Sequence, residues 1–244
     1  MRPLRDPPSP EVEPGTRAFV VGNGKSLQPD QLDKLHQNNE VCFGVNRIHL
    51  IYEDTPWRPT YWLLTDLDGK KTYVDDIPFH SRQGYKCYVR CDIMARCIAT
   101  WIGTIPNKEL FEMIVNVAPL DAVNHIQTDT RISREPWVDG KYNQGGSVAA
   151  SQQLALAWGY GPVYMIGCEG NLLAGENNHF SIKYSDARRD NRNPSQIKAA
   201  NDLLQITDEI ALREYQARRV EIYNATVGGS KRTAIPKVDF WRLF

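Results

Sequence analysis

A doubly wound α/β domain built on a mostly parallel sheet is the architecture this sequence predicts, and three features predict it. Short β-rich runs alternate with amphipathic helical stretches along most of the 244 residues. The runs are continuously apolar rather than alternating in polarity, as strands covered on both faces are. The first of them ends directly in a glycine turn, Gly22-Asn23-Gly24, where a strand of such a fold hands over to a helix.

Taken in order, Arg17 to Val21 is the first strand. Pro29 to Gln37 reads as a short helix, because Leu32 and Leu35 share a face and proline suits a first turn. Val41 to Val45, Thr60 to Thr65 and Tyr85 to Arg90 read as further strands, and Glu112 to Val117 as either a strand or a helix end. Ser147 to Trp158 is a helix with Ser147 as its expected N-cap and Gly159 as its stop. Val163 to Ile166 is a buried strand, Pro194 to Arg218 a long helix and Val220 to Tyr223 a last strand. Strand, helix, strand, repeated, implies parallel pairing through right-handed crossovers. Tyr52 to Pro59 and Thr130 to Asn143 read as long surface loops, the second placed to act as a lid. Residues 1–15, rich in proline and charge, are expected to be a flexible leader, and 16–244 a single domain.

Composition excludes several classes. Lys+Arg and Asp+Glu balance at 29 each, so no long-range field steers the chain to nucleic acid or to a membrane surface. No apolar run approaches the roughly 20 residues of a membrane span, and the first residues lack a secretory signal. The five cysteines, Cys42, Cys87, Cys91, Cys97 and Cys168, are odd in number and lack the tight pairing of a zinc site. They are expected to be buried and reduced, which favours the cytoplasm.

In a doubly wound sheet ligands sit outside the carboxyl ends of the strands, so the loops that matter begin at Gly22, Asn46, Asp66, Gly167 and Asn224. Gly22, Asn23, Gly24, Lys25 and Ser26 form a glycine loop suited to close backbone approach and to an anionic phosphate, without the spacing of a dinucleotide fingerprint or a P-loop. Asn46 and Asp66 each end a later strand and present short hydrogen-bonding side chains at the same edge. Asp66-Leu67-Asp68 has the form of an acidic pair that chelates Mg²⁺ or Mn²⁺ with phosphate oxygens, and Asp68-Gly69 is equally an ordinary turn. Gly145-Gly146-Ser147 opens the strongest helix and is a second candidate anion cradle. The basic run Lys183, Arg188, Arg189 and Arg192, balanced by Asp186 and Asp190, reads as a solvated approach to a helix. An anionic acceptor, including a nucleic acid backbone, is its functional alternative.

Val20 to Leu27, the strand-end Asn46, the block from Gly145 to Ser147 with Ala155 to Gly170, and Tyr223 to Gly229 together resemble two related groups. One is the bacterial sialyltransferases that use a CMP-linked donor. The other comprises flagellin-type glycosyltransferases and archaeal hydroxymethylpterin diphosphokinases, and Tyr223 to Gly229 resembles its closing motif. The resemblance covers most of residues 17 to 229 in three blocks. It implies a Rossmann-like, glycosyltransferase-A-like fold and a nucleotide-sugar donor held by Gly22, Asn23, Gly24 and Ser26. Asn46 and Asp66 would lie near the ribose or sugar, and Gly146 and Ser147 would face the donor phosphate or carboxylate.

The related proteins place a histidine in the loop occupied here by His179, where it acts as general base in the sialyltransferases; imidazole titrates near neutrality and suits the task. Lys183 and Tyr184 are reserves for stabilising the departing phosphate. The sequence departs from the sialyltransferases at Gln144, where they carry arginine, and lacks their phosphate-supporting tyrosines after Glu169. The expected function is therefore sugar transfer from a nucleotide-linked donor, a CMP-sugar first, with no essential cofactor. The alternatives are a diphosphokinase-like transferase using ATP and a non-catalytic nucleotide-binding module. The acceptor, whether glycan, protein or modified nucleobase, is not specified by the residues.

Overall fold

The computed structural model describes residues 10–65, 72–101, 106, 108, 117–120, 146–173, 176–184, 193–228 and 230–244. Its strands are β1 (Ala18–Val21), β2 (Val41–Val45), β3 (Tyr61–Leu64), β4 (Lys86–Arg90), β5 (Val117–Leu120), β6 (Val163–Ile166) and β7 (Ile222–Asn224). They form one seven-stranded sheet in the order β5-β4-β3-β2-β1-β6-β7, and every pairing is parallel. The described helices are α1 (Pro29–Gln37), α2 (Thr72–Ser81), α3 (Cys91–Trp101), α4 (Gly146–Ala157) and α5 (Pro194–Ala217).

The sheet divides its side chains between two cores, because successive residues of a strand point to opposite faces. Phe19, Val21, Trp62, Leu64 and Val89 face one way and meet α1, α2 and α3 through Leu32, Leu35, Ile77, Ile93 and Met94. Ala18, Val20, Leu63, Tyr88 and Met165 face the other way and meet Ala150, Ala155 and Leu156 of α4 and Tyr215 of α5. Helices on both faces make the fold doubly wound and Rossmann-like, as the continuous apolar runs predict. α4 is buried on nearly every side, and its alanines and serines let it lie close against β1, β2 and β3. The Tyr215 hydroxyl donates to the Gln152 carbonyl at 2.7 Å and locks α5 onto it.

Local signals explain the helix starts. In α1 the Gln28 amide donates to the Gln31 side chain at 2.9 Å, with Pro29 in the first turn. In α5, Asn193 Oδ1 accepts from the Gln196 amide at 2.9 Å and the Gln196 side chain answers the Asn193 amide, a reciprocal cap.

Several boundaries differ from expectation. The last strand is Ile222–Asn224, because α5 ends at Ala217 and Val220 lies in the turn that follows. α2, α3 and β5 are additional elements. Helix α4 begins at Gly146, and Ser147 does not act as its cap: the hydroxyl is engaged with Asn46 and Thr65 instead. Asp66, Asp68 and Gly145 lie outside the described residues, as do the stretch expected to act as a lid and most of Glu112 to Val117. Of the leader, Val12 packs against the α4-side core.

Candidate functional site

From β1 the sheet grows through β2 to β5 on one side and through β6 and β7 on the other. The loops leaving β1 and β6 therefore diverge, and a cleft opens at this switch point. Val21 is level with Gly44 of β2 and Ile166 of β6, so all three strands deliver their next residues to one edge. Gly22, Asn23, Gly24, Asn46 and His179 line the cleft, as do Glu169, Tyr184 and Arg232. Ser26, Gly146 and Ser147 are not among the lining residues, and α4 contributes Val148 instead.

The glycine loop is pressed against the loop after β6. A Cβ on Gly22 would lie 2.4 Å from the Gly167 carbonyl oxygen and 2.6 Å from Cys168 Sγ, so only glycine fits. Gly22 and Gly24 amides donate to the carbonyls of Ile166 and Gly167, each at 2.9 Å. The Ser26 amide donates to Glu169 Oε1 at 2.5 Å. The anion resting on this loop is thus an internal carboxylate, which also covers the Cα of Gly24. The backbone carbonyl of Glu169 is held by the Lys231 amide at 2.8 Å and the Ser230 hydroxyl at 2.9 Å. Thr226 Oγ1 accepts from the Cys168 amide at 3.1 Å. The segment after β7, into which the closing motif that begins at Tyr223 continues, therefore fixes the β6 loop.

Asn46 adopts a left-handed backbone (φ 48°), a conformation asparagine tolerates better than most residues. Its carbonyl accepts from Trp62 Nε1 at 2.7 Å, and its Oδ1 accepts from the Ser147 hydroxyl at 2.6 Å. Ser147 Oγ in turn accepts from the Thr65 amide at 3.0 Å. Ends of β2 and β3 and the first turn of α4 are joined through one hydroxyl. Gly146, with φ 79°, makes the turn into α4 that glycine permits.

The segment 176–184 lies across the glycine loop. The Phe180 amide donates to the Asn23 carbonyl at 3.0 Å, Asn23 Nδ2 donates to the Tyr184 hydroxyl at 3.1 Å, and Lys25 pairs with Glu176 at 2.8 Å. The His179 ring stacks on Tyr184 with centroids 3.7 Å apart, which presents a half-buried imidazole at the cleft. The Arg47 guanidinium anchors the segment from below, donating to the carbonyls of Lys183 at 3.0 Å and Tyr184 at 2.8 Å.

Behind Arg47 lies a buried polar chain. Arg47 Nε meets Asp76 Oδ2 at 3.2 Å, His49 Nε2 lies 3.5 Å from Asp76 Oδ1, and His49 Nδ1 lies 3.1 Å from His80 Nε2. His80 stacks on Trp62 and also hydrogen-bonds Tyr85. Burial drives the His80 imidazole down to about 2 and the His49 imidazole, with Arg47 beside it, to about 4, so both are neutral at pH 7. Against the loop after β6, next to Gly170, Arg232 makes a bidentate pair with Asp208 of α5 at 2.6 Å, and both side chains are buried.

Among the described residues, no cluster of three His, Cys, Asp or Glu side chains is placed to hold a metal ion. Cys42, Cys87, Cys97 and Cys168 are buried free thiols. Among the described residues no helix is long and apolar enough to cross a membrane. Sequence reasoning gave no role to Glu169, Arg47 or Arg232. Glu169 stands inside the motif Gly167-Cys168-Glu169-Gly170, but its partner Ser26 is on another strand's loop, so no local pattern marks the contact.

No family model matches the chain, and none of the curated proteins matches it. Among solved structures, the MAf glycosyltransferase from Magnetospirillum magneticum AMB-1 is similar to this chain. The TM-score is 0.56 at 13% sequence identity, over 97% of this chain. This chain spans only 35% of that protein's length. The shared feature is the fold. Neither of the narrower groups that the sequence resembles, the sialyltransferases and the diphosphokinases, is among these matches.

Proposed function

We propose that this protein is a glycosyltransferase that moves a sugar from a nucleotide-linked donor, a CMP-sugar first, to an acceptor hydroxyl. The observation that carries the reading is the convergence of Gly22, Asn23, Gly24, Asn46 and His179 on one cleft at the sheet's switch point. The fold shared with the MAf glycosyltransferase supports it. In the reaction, the acceptor oxygen forms a bond to the anomeric carbon while the bond from that carbon to the phosphate oxygen breaks. The bonding pair leaves with the nucleotide, and His179 takes the acceptor's proton. A nucleoside monophosphate leaves with less charge than a diphosphate, so no metal ion is required. A sugar-diphosphate donor would instead call on Mg²⁺ or Mn²⁺ at Asp66 and Asp68. The buried free thiols fit a reducing cytoplasm.

Thermal-shift measurements with CMP, CDP, UDP, GDP and ATP test the ligand class, with the largest shift expected from CMP. Release of CMP from a CMP-sugar, insensitive to EDTA, tests the chemistry. His179→Ala is expected to lower kcat by roughly 10²–10⁴ while nucleotide affinity stays within a few-fold. A shift with ATP alone would favour a hydroxymethylpterin diphosphokinase-like transferase, and binding without turnover of any donor a non-catalytic module.

A further inference from the structure

We propose that Glu169 and the buried side-chain oxygen of Asn23 form a pair of hydrogen-bond acceptors for the ribose hydroxyls of the nucleotide, making the cleft selective for ribonucleotides over deoxyribonucleotides. The inference rests on the nucleotide-binding reading above and names what the glycine-loop wall recognises.

The Asn23 side chain has one arrangement. Its Nδ2 lies 2.8 Å from the Val45 carbonyl, which can only accept, so the nitrogen must be on that side. The second Nδ2 hydrogen goes to the Tyr184 hydroxyl at 3.1 Å. Both donors are then used, and Oδ1 is left buried with no donor among the described residues. Asn23 is only 7% exposed and lines the cleft, which leaves this acceptor for a donor that enters the cleft.

Glu169 stands on the same wall. One carboxylate oxygen accepts from the Ser26 amide, which leaves most of the group's lone-pair positions open. Its main chain is held by Lys231 and Ser230, and the Ser26 amide draws its carboxylate onto the glycine loop. Arg232, which packs against Gly170 next to Glu169, is already matched by Asp208 in a bidentate pair, so its charge is answered within the protein. The amides of Gly22 and Gly24 that would greet a phosphate are bonded to carbonyls of β6 and its loop. This wall therefore offers acceptors and a negative charge. It repels phosphate and attracts neutral O–H and N–H donors. A nucleotide carries such donors side by side in its ribose diol, and singly in the exocyclic amine of some bases.

Isothermal titration of the full chain with matched pairs, CMP against 2′-deoxy-CMP and 3′-deoxy-CMP, and UMP against 2′-deoxy-UMP, separates these sources without altering the protein. Loss of either hydroxyl is expected to weaken binding roughly tenfold or more, as for other hydrogen bonds to a charged group. Glu169→Gln is expected to bring the ribose-to-deoxyribose ratio toward one. Equal affinities within each pair, with CMP and UMP differing, would assign the acceptors to the base and overturn this inference alone. Tighter binding of CMP and of inorganic phosphate by Glu169→Gln would make Glu169 an internal competitor of phosphate, which also overturns it. Absence of binding by any of these nucleotides overturns both this inference and the reading beneath it.

Discussion

Gly22 and Gly24 are two residues apart and should tolerate a methyl group very differently. At Gly22 the added carbon would press on a backbone carbonyl and on a buried sulfur, and neither can retreat without moving β6. At Gly24 it would press on the Glu169 carboxylate, the end of a side chain that can swing away. Gly22→Ala should therefore cost about 2–4 kcal/mol in urea unfolding, against about 1 kcal/mol or less for Gly24→Ala. Equal losses would show that the two loops are not packed as described. This contrast marks the limit of what was legible. The sequence displays Gly22, Gly24 and Asn46 at strand ends and His179 in the loop that follows β6, and all of them reach the cleft. It shows neither the carboxylate that lies on the glycine loop nor the hydroxyl bridge from Ser147 to Asn46, because both contacts join segments more than a hundred residues apart.

Elements that went unread share a physical reason. α2 contains Pro78, which reads as a helix breaker, and α3 begins at Cys91 directly after β4 ends at Arg90, with no turn residue between them. β5 contains Pro119, which argues against a central strand; β5 sits at the sheet's edge, where proline is tolerated. Conversely α5 was legible from its first proline onward, and its attachment to the rest of the fold makes a specific demand. Asp208 in its middle and Arg232 after β7 are buried as an ion pair. Removing one partner leaves an uncompensated charge in the interior. Asp208→Leu and Arg232→Met should each destabilise by about 3–5 kcal/mol, whereas the two together, an apolar pair, should cost clearly less. A double-mutant cycle measures this, and simple additivity of the two single losses would contradict it.

For the molecule as a whole, acid should be the destabilising direction. His49 and His80 have folded-state values depressed to about 4 and about 2, below the ordinary value of 6.5. Above pH 6.5 both are neutral whether the chain is folded or not, and they cost nothing. As pH falls below 6.5 the unfolded chain takes up protons that the folded one refuses. Stability should then decline by about 1.4 kcal/mol per pH unit for each histidine, down to pH 4 for His49 and further for His80. Urea unfolding between pH 7.5 and 4.5 tests this, and His80→Gln should flatten the profile. A profile as steep in that variant as in the parent would remove His80 as a cause. The doubly wound class was legible at this scale because fully covered strands announce themselves as unbroken apolar runs.

The sheet order also dictates a sequence of events during synthesis. β1 pairs on one side with β2, which follows it closely, and on the other with β6, which leaves the ribosome only in the second half of the chain. Until then a nascent chain that has begun to pair its first five strands carries one bare, wholly apolar edge along β1. Such an edge invites pairing with other chains, so this interval is when the protein most needs a chaperone. The cleft is born at the moment that edge closes: before β6 docks there is no second wall, and no ligand can assist the folding of the first.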